Sequence, residues 1–298
     1  EYEFVNYDTL TYAGNLSNVR ECEEYDNYQF VRGDICNYEK LEETVSNFDI
    51  DVIINFAAES HVDNSIENSD EFIQTNINGT HTLLKLMHEF PMNKFIQIST
   101  DEVYGTLTEN DEPFTEDTPL APNSPYAASK TSADLLCRSF YETYGYPITI
   151  TRCSNNYGPN QYPEKLIPLA VKNLMRNKKI KLHDKGEPVR NWLHSGDTAS
   201  AVVTLIESGV QNDIFNVAGG FEQKNLDTVI KVLECYHNEI REDRNWNEFL
   251  DLSYVREGQD VRYALNDKKL RDLGWQPKKN FDKEIKLIVD YYKSNFKW

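Results

Sequence analysis

Basic residues are scarce in this chain: 31 Lys and Arg stand against 49 Asp and Glu, a formal net charge of −18 at pH 7. Nucleic acid and anionic membrane need a basic patch, so neither is an expected partner. An acidic surface of this kind keeps a protein soluble. Cysteines number five (Cys22, Cys36, Cys137, Cys153 and Cys235), an odd count, widely spaced and with no C-x-x-C pair. That pattern predicts neither a disulfide framework nor a metal cage, and a reducing cytoplasm is the expected compartment. The longest apolar run, around Val52 to Ala58, is too short to span a bilayer. The opening E-Y-E-F-V is strand-like, so no signal peptide is expected there. Internal repeats and low-complexity stretches are lacking too. The 298 residues suit two modest domains or one large one, with enough chain to bury a sizeable core.

What is present alternates. Strand-like runs fall at 3–7, 28–31, 52–56, 95–98 and 148–151, and helical pattern fills about 38–47, 69–89 and 126–144. In the second helical stretch Phe72, Ile73, Ile77, Leu83, Leu84 and Met87 recur at helical spacing, with Gly79 interrupting. Strands alternating with helices predict an α/β fold, a doubly wound parallel sheet covered on both faces. Beyond about residue 160 the turn-rich N-Y-G-P-N-Q-Y-P-E leads to a helix near 164–177, strands at 180–183 and 213–217, and helices at 196–208, 225–237 and 281–293. The expected division is therefore 1–160 and 161–298, the second a smaller α/β domain with some segments returning to the first.

The stretch richest in chemistry runs from Phe95 to Lys130. An apolar strand ends in Ser99-Thr100-Asp101-Glu102, where ligands of open α/β sheets bind. Downstream, Ser124-Pro125 starts a helix that puts Tyr126 and Lys130 four apart on one face. Tyr-x-x-x-Lys alone is weak in a chain with 18 tyrosines, but Tyr126 is the only one with Lys at +4. The pair suits a phenolate base. A free phenol titrates near 10, so work near neutrality needs a drop of about three, roughly 4 kcal/mol, towards which a neighbouring ammonium contributes. Adjacent acids in extended chain point to opposite sides, so Asp101 and Glu102 predict separate acid and base roles once a bend turns both inward.

Asp8 ends the first strand and suits an adenosine ribose; a turn-initiating Asp is the plainer reading. Asp34, Ala57 and Ala58 also lie at strand ends. His61 and Asp63 lack a nucleophilic serine motif and are read as structural or pocket-lining. Arg190, Arg256 and Arg262 are candidates for a diphosphate clamp, because the guanidinium fork matches phosphate oxygens. No G-x-G-x-x-G or G-x-x-G-x-x-G occurs, although a dinucleotide fold ordinarily opens with such a turn. The expectation is that the first strand and its glycine turn are missing from this sequence.

The runs Y-D-T-L-T-Y-A-G-N, N-F-A-A-E-S-H-V-D, S-T-D-E-V-Y-G, S-P-Y-A-A-S-K, T-R-C-S-N-N-Y-G-P and Y-P-E-K-L-I-P resemble the nucleoside-diphosphate-glucose 4,6-dehydratases, most nearly those acting on the dTDP sugar. These belong to the extended short-chain dehydrogenase/reductase superfamily, and the resemblance covers nearly the whole chain. It implies a Rossmann-type fold, NAD as a transient hydride store and a 4-keto-6-deoxy product. By that resemblance Tyr126 takes the O4 proton, Thr100 hydrogen-bonds the same oxygen and Lys130 holds the nicotinamide ribose. Glu102 removes the C5 proton and Asp101 protonates the departing C6 hydroxyl. The same resemblance implies NAD contacts from Asp8, Asp34, Ile35, Ala57, Ala58, Asn76, Ser99 and Cys153, together with Tyr126 and Lys130. It implies nucleotide-sugar contacts from Asn155, Lys165, Leu166, Arg190, Asn216 and Arg256, besides Thr100. A homodimer through helices that include the one bearing Tyr126 is implied as well, with the glycine turn in an upstream segment.

Three departures bear on the nucleotide. I-K-L-H-D-K-G at 180–186 puts Lys181 and His183 where residues flank the base; R-E-G-Q-D-V-R-Y carries Gln259 and Val261 in place of the family's His and Arg; and H-V-D-N replaces the commoner H-V-D-R. The dTDP sugar is expected as substrate, with a UDP-glucose dehydratase or a nucleotide-sugar 4-epimerase as the alternatives.

Overall fold

Runs of β-branched and aromatic residues separated by capped helices account for most of the elements. A computed structural model describes residues 2–240, 245–256 and 258–297; Glu1 and Glu257, which fall within runs quoted above, lie outside them. The chain divides into two units, one of Glu1–Ser99, Ser124–Thr151 and Val210–Ile214, the other of Thr100–Asn123, Arg152–Gly209 and Phe215–Trp298.

The first unit starts with β1 (Phe4–Asp8) and β2 (Tyr28–Arg32), a parallel pair in register from Phe4 opposite Tyr28 to Asp8 opposite Arg32. Helix α1 (Tyr38–Phe48) is capped by Asn37, whose side chain accepts the Lys40 N–H, and stopped by Asp49 in the left-handed region. Strand β3 (Val52–Asn55) and helix α2 (Val62–Glu67) follow. The long helix expected over 69–89 is broken into α3 (Asp70–Phe72), a π-helical segment (Ile73–Gly79) and α4 (Thr80–Leu86). Gly79 closes that segment for a steric reason: a Cβ there would lie 2.4 Å from Ile35 Cδ1. Strand β4 (Lys94–Thr100) leads on to α5 (Pro125–Tyr144) and β5 (Ile148–Cys153). Ser124 caps α5 by accepting the Ala127 N–H, Pro125 is its first residue, and Gly145 at φ 71° ends it.

The second unit holds most of the rest: β6 (Asn155–Tyr157), α6 (Leu166–Met175), β7 (Ile180–His183), β8 (Val189–His194) and α7 (Ser195–Glu207). Strand β9 (Asp213–Val217) precedes β10 (Phe221–Lys224), α8 (Asn225–His237), β11 (Leu250–Tyr254), α9 (Lys268–Arg271) and α10 (Phe281–Asn295). The sheet orders are β1-β2, β3-β4-β5-β9, β10-β8-β6 and β11-β7. The α/β class with parallel strands holds; β1-β2 and β3-β4-β5-β9 are separate hydrogen-bonded groups, since β1 and β3 are not hydrogen-bonded neighbours. Strands β6, β8, β10 and β11 escaped the sequence reading because polar and charged residues interrupt their apolar pattern: Asn in β6, Arg and Asn in β8, Glu, Gln and Lys in β10, Asp and Ser in β11.

Each unit has its own core. In the first, Leu83, Leu84, Leu86, Phe95, Ile148 and Ile150 pack together. In the second, Ile167, Val171, Leu233, Phe281, Ile285 and Val289 do so. Each such side chain contributes about 1.5–3 kcal/mol on burial. The buried face of α10 (Phe281, Ile285, Ile288, Val289, Tyr292) keeps the 4-3-1-3 spacing of an amphipathic helix. No helix among the described residues is long and apolar enough to cross a membrane.

Candidate active site

The acid pair of the second unit sits where β4 stops. Residues Asp101–Tyr104 form a 3-10 turn capped by Thr100, whose Oγ1 accepts the Glu102 N–H at 3.3 Å. The same hydroxyl donates to Asp101 Oδ1 at 3.2 Å. Leaving the extended conformation at this point removes the strand alternation that would send the two acids apart. Asp101 is 1% exposed, and its Oδ2 has no hydrogen-bond partner. Burial, reinforced by the charge of Glu102, pushes its carboxyl up to about 8, against the opposing pull of Arg190 and the Thr100 hydrogen bond. Glu102 keeps some accessible surface although protein crowds it. Burial raises its carboxyl too; Arg190, Lys165 and Arg256 oppose the rise and Asp260 adds to it. One acid is therefore held protonated near neutrality, and its neighbour is set among three cations.

The surroundings of Glu102 are built from strand ends and loops. Arg190, on β8, is buried; its Nη1 donates to the Val189 carbonyl at 2.8 Å and its Nη2 to the Asp260 carbonyl at 3.2 Å. The guanidinium lies 4.3 Å from the Tyr263 ring centre. Arg256 donates to Gln259 Oε1 at 3.2 Å and approaches His183 Nε2 at 3.5 Å. His183 meets the Tyr254 ring edge-on, and Lys181 Nζ lies 5.1 Å from the centre of that ring, so Lys181 and His183 on β7 gather with Arg256, two residues past the end of β11. Lys165 stands just ahead of α6, with Nζ 3.4 Å from Glu164 Oε1, and Leu166 packs on the core. Asn155, on β6, has a buried Oδ1 without a hydrogen-bond partner, an acceptor suited to a sugar hydroxyl.

Two residues, Asn216 and Arg262, are placed otherwise than the sequence suggested. Asn216 has no exposed surface. Its Oδ1 accepts the Tyr104 hydroxyl at 2.8 Å, and its Nδ2 donates to the Phe114 and Asn266 carbonyls at 3.1 and 3.2 Å. With both ends of the amide engaged inside the protein, it is a framework residue. Arg262 is gripped on two sides by Glu222, Nε at 2.6 Å and Nη2 at 3.1 Å, and donates to the Asp111 carbonyl at 2.8 Å. Its fork is thus committed to a carboxylate, which removes it as a diphosphate clamp. Cys153 is buried at the end of β5.

In the first unit Tyr126 is 8% exposed and edge-on to Phe72. Lys130, one turn later, donates from Nζ to the Ile98 carbonyl at 2.6 Å, two residues before Thr100 in the chain. Ser129 Oγ lies between them, donating to the Tyr126 carbonyl at 2.7 Å and accepting from Asn76 Nδ2 at 2.8 Å. Asn76 also exchanges hydrogen bonds with the Glu59 backbone in both directions. It therefore ties the π-helical segment to α5 and to the chain after Ala57 and Ala58, and such segments recur at functional sites. Ile35 is a core residue packed against Gly79. Asp8 and Asp34 are exposed strand-end acids, and each starts a turn by accepting a backbone N–H two residues on, from Leu10 and Cys36.

The fit of this half to a dinucleotide rests on Ser99, whose buried Oγ has no hydrogen-bond partner. With Lys130 next to it in the fold of β4 and α5, and acids at the ends of β1 and β2, the donors and acceptors match ribose hydroxyls. Asp260 and Tyr263, which lie against Arg190 and act on or near Glu102, and Asn123, which donates to Asp260, were missed from sequence. The signal available was the unbroken Q-D-V-R-Y run, whose polar and aromatic residues become partners only through the meeting of 123, 190 and 260 in the fold.

The α/β fold, the buried acid pair and the Tyr126–Lys130 helix define a nucleotide-sugar dehydratase class, and the chain belongs to the GDP-mannose 4,6-dehydratase family, whose sequence profile matches residues 1–288. Within it the chain is similar to dTDP-glucose 4,6-dehydratases. The enzyme of that name from Xanthomonas campestris is 42% identical over 307 residues, covering 99% of this chain and 87% of the relative. A crystal structure of dTDP-glucose 4,6-dehydratase from Bacillus anthracis, in complex with NAD, is 43% identical with a TM-score of 0.88, covering 100% of this chain and 90% of the other. That of DesIV from Streptomyces venezuelae, a dTDP-glucose 4,6-dehydratase with NAD and TYD bound, is 38% identical with a TM-score of 0.92, covering 99% and 89%.

Proposed function

We propose that this chain is an NAD-dependent hydro-lyase that converts dTDP-glucose to its 4-keto-6-deoxy sugar. The observation that carries the reading is Asp101, a buried carboxyl pushed up to about 8 beside an acid surrounded by cations. When bound, NAD would supply the hydride acceptor for oxidation at C4 and the hydride for reduction at C6. Tyr126, with Lys130 one helical turn away, takes the proton from O4 while Thr100 orients that oxygen. The new carbonyl acidifies the C5 proton, which Glu102 removes as base and gives back to C5 when hydride enters at C6. Asp101, held protonated, gives its proton to the C6 hydroxyl, which leaves as water. Asp101, buried and pushed up to about 8, is the proton donor, and Glu102, set among three cations, is the acceptor.

For NAD the proposed contacts are Asp8, Asp34, Ala57, Ala58, Ser99, Lys130, Tyr126 and Cys153, with Ile35 and Asn76 supporting from behind. For the sugar nucleotide they are Asn155, Lys165, Leu166, Arg190 and Arg256, with Lys181 and His183 beside the base. A homodimer through α5 suits its outer positions, where Leu135 is 52% exposed. Five free thiols suit a reducing cytoplasm.

The test is product mass after incubation with NAD and either dTDP-glucose or UDP-glucose. Loss of one water, faster from the dTDP sugar, is expected, and Glu102→Gln should stop water loss while slow oxidation at C4 persists. An unchanged mass with a new 4-epimer, or full turnover by Glu102→Gln, would overturn the reading.

A further inference from the structure

We propose that Asp260 is a positioning residue for proton abstraction by Glu102, a role that rests on the reading of Glu102 as base. Asp260 is 6% exposed. Its Oδ1 accepts from Asn123 Nδ2 at 2.7 Å and its Oδ2 from the Tyr263 hydroxyl. Both donors are neutral, so neither cancels its charge. A buried carboxylate held in that way is costly, and simple packing does not call for one.

The backbone of the same residue does a second job. Its carbonyl accepts from Arg190 Nη2 and from Gln259 Nε2, while Tyr263 lies against the guanidinium. Asp260 and its hydroxyl partner Tyr263 therefore hold Arg190 on two sides, and Arg190 is the strongest of the cations acting on Glu102. If Arg190 were free to swing towards Glu102, it would bind the carboxylate and make it a poorer base. The charged groups acting on Glu102 are Arg190 from β8, Lys165 ahead of α6, Arg256 after β11, Asp260, and Asp101 beside it, with the neutral phenol of Tyr263. Among them Asp260 offsets the three cations, and it does so from a fixed place. The arrangement keeps Glu102 basic enough to take a carbon-bound proton.

The test compares Asp260→Asn, Tyr263→Phe and Glu102→Gln in the full chain with NAD and dTDP-glucose. It reads C4 oxidation, solvent-deuterium entry at C5, and the pH profile of kcat/KM. Asp260→Asn should slow C5 exchange and water loss about 10- to 100-fold with C4 oxidation retained. Loss of its negative charge should move the acidic limb of the profile to lower pH, which a purely structural defect would not do. Tyr263→Phe keeps the charge and removes one anchor, so it should slow C5 exchange by a smaller factor with C4 oxidation unchanged. An unmoved acidic limb and unchanged C5 exchange in Asp260→Asn, while Glu102→Gln is dead in exchange, overturns this inference and leaves the base intact. Exchange that survives in Glu102→Gln removes the base and the inference with it. Should Asp260→Asn not fold, Tyr263→Phe decides: slowing both steps alike, or neither, overturns the proposal.

Discussion

Replacing Asp101 by Asn should make the protein more stable and less active, and the gain in stability should grow with pH. The carboxyl stands at about 8 in the folded chain against an ordinary 3.8. Between those values folding obliges the group to take up a proton, and stability falls by about 1.4 kcal/mol per pH unit. The sign follows from the raised folded value: the favourable contribution is complete below about pH 4 and is lost as pH rises towards about 8. At pH 5 the cost is roughly 1.5 kcal/mol, and at pH 7 roughly 4 kcal/mol. Asn does not titrate, and its carbonyl can still accept the Thr100 hydroxyl. Whatever constant offset the amide introduces, the gap between variant and parent should widen by about 2.5 kcal/mol from pH 5 to pH 7. Urea unfolding at the two pH values measures it, and water loss should drop by about 10²- to 10⁴-fold in the same variant. A gap that stays constant across that range refutes the claim that burial keeps Asp101 protonated.

The same carboxyl predicts the alkaline side of the activity profile: from pH 7 to pH 9 the protonated fraction falls from about nine-tenths to about one-tenth, so kcat/KM for water loss should decline roughly ninefold. A profile level to pH 9 would assign the acid to another group. Asn216→Ala should cost roughly 1–3 kcal/mol of stability, because it takes the acceptor from the Tyr104 hydroxyl and one donor from each of the Phe114 and Asn266 carbonyls. Thermal unfolding and KM separate the cases, since a raised KM at unchanged stability would make Asn216 a ligand contact after all.

Legibility from the sequence varied with how local each signal was. The helix start at Ser124-Pro125 and the four-residue spacing of Tyr126 and Lys130 are local, and α5 begins where they said. The expected helix over 69–89 failed as a single element because periodicity cannot register the π-helical segment around Asn76, which Ser129 and the Glu59 backbone hold from other parts of the first unit. Arg262 and Asn216 looked like ligand contacts because Arg and Asn are polar in any string. Their partners, Glu222 and Tyr104, stand 40 and 112 residues away.

By itself the sequence determined the α/β class, the strand that ends in two acids, and the helix that spaces a phenol from an ammonium. All of these depend on side-chain order over a few residues and on backbone propensities that act at that range. Tertiary structure alone decided that Asp101 is buried with an oxygen left unpartnered, that Arg190, Lys165 and Arg256 act on Glu102, and that Asp260 and Tyr263 hold Arg190. Burial and electrostatic potential are sums over everything nearby, and the chain brings those neighbours together only when it folds.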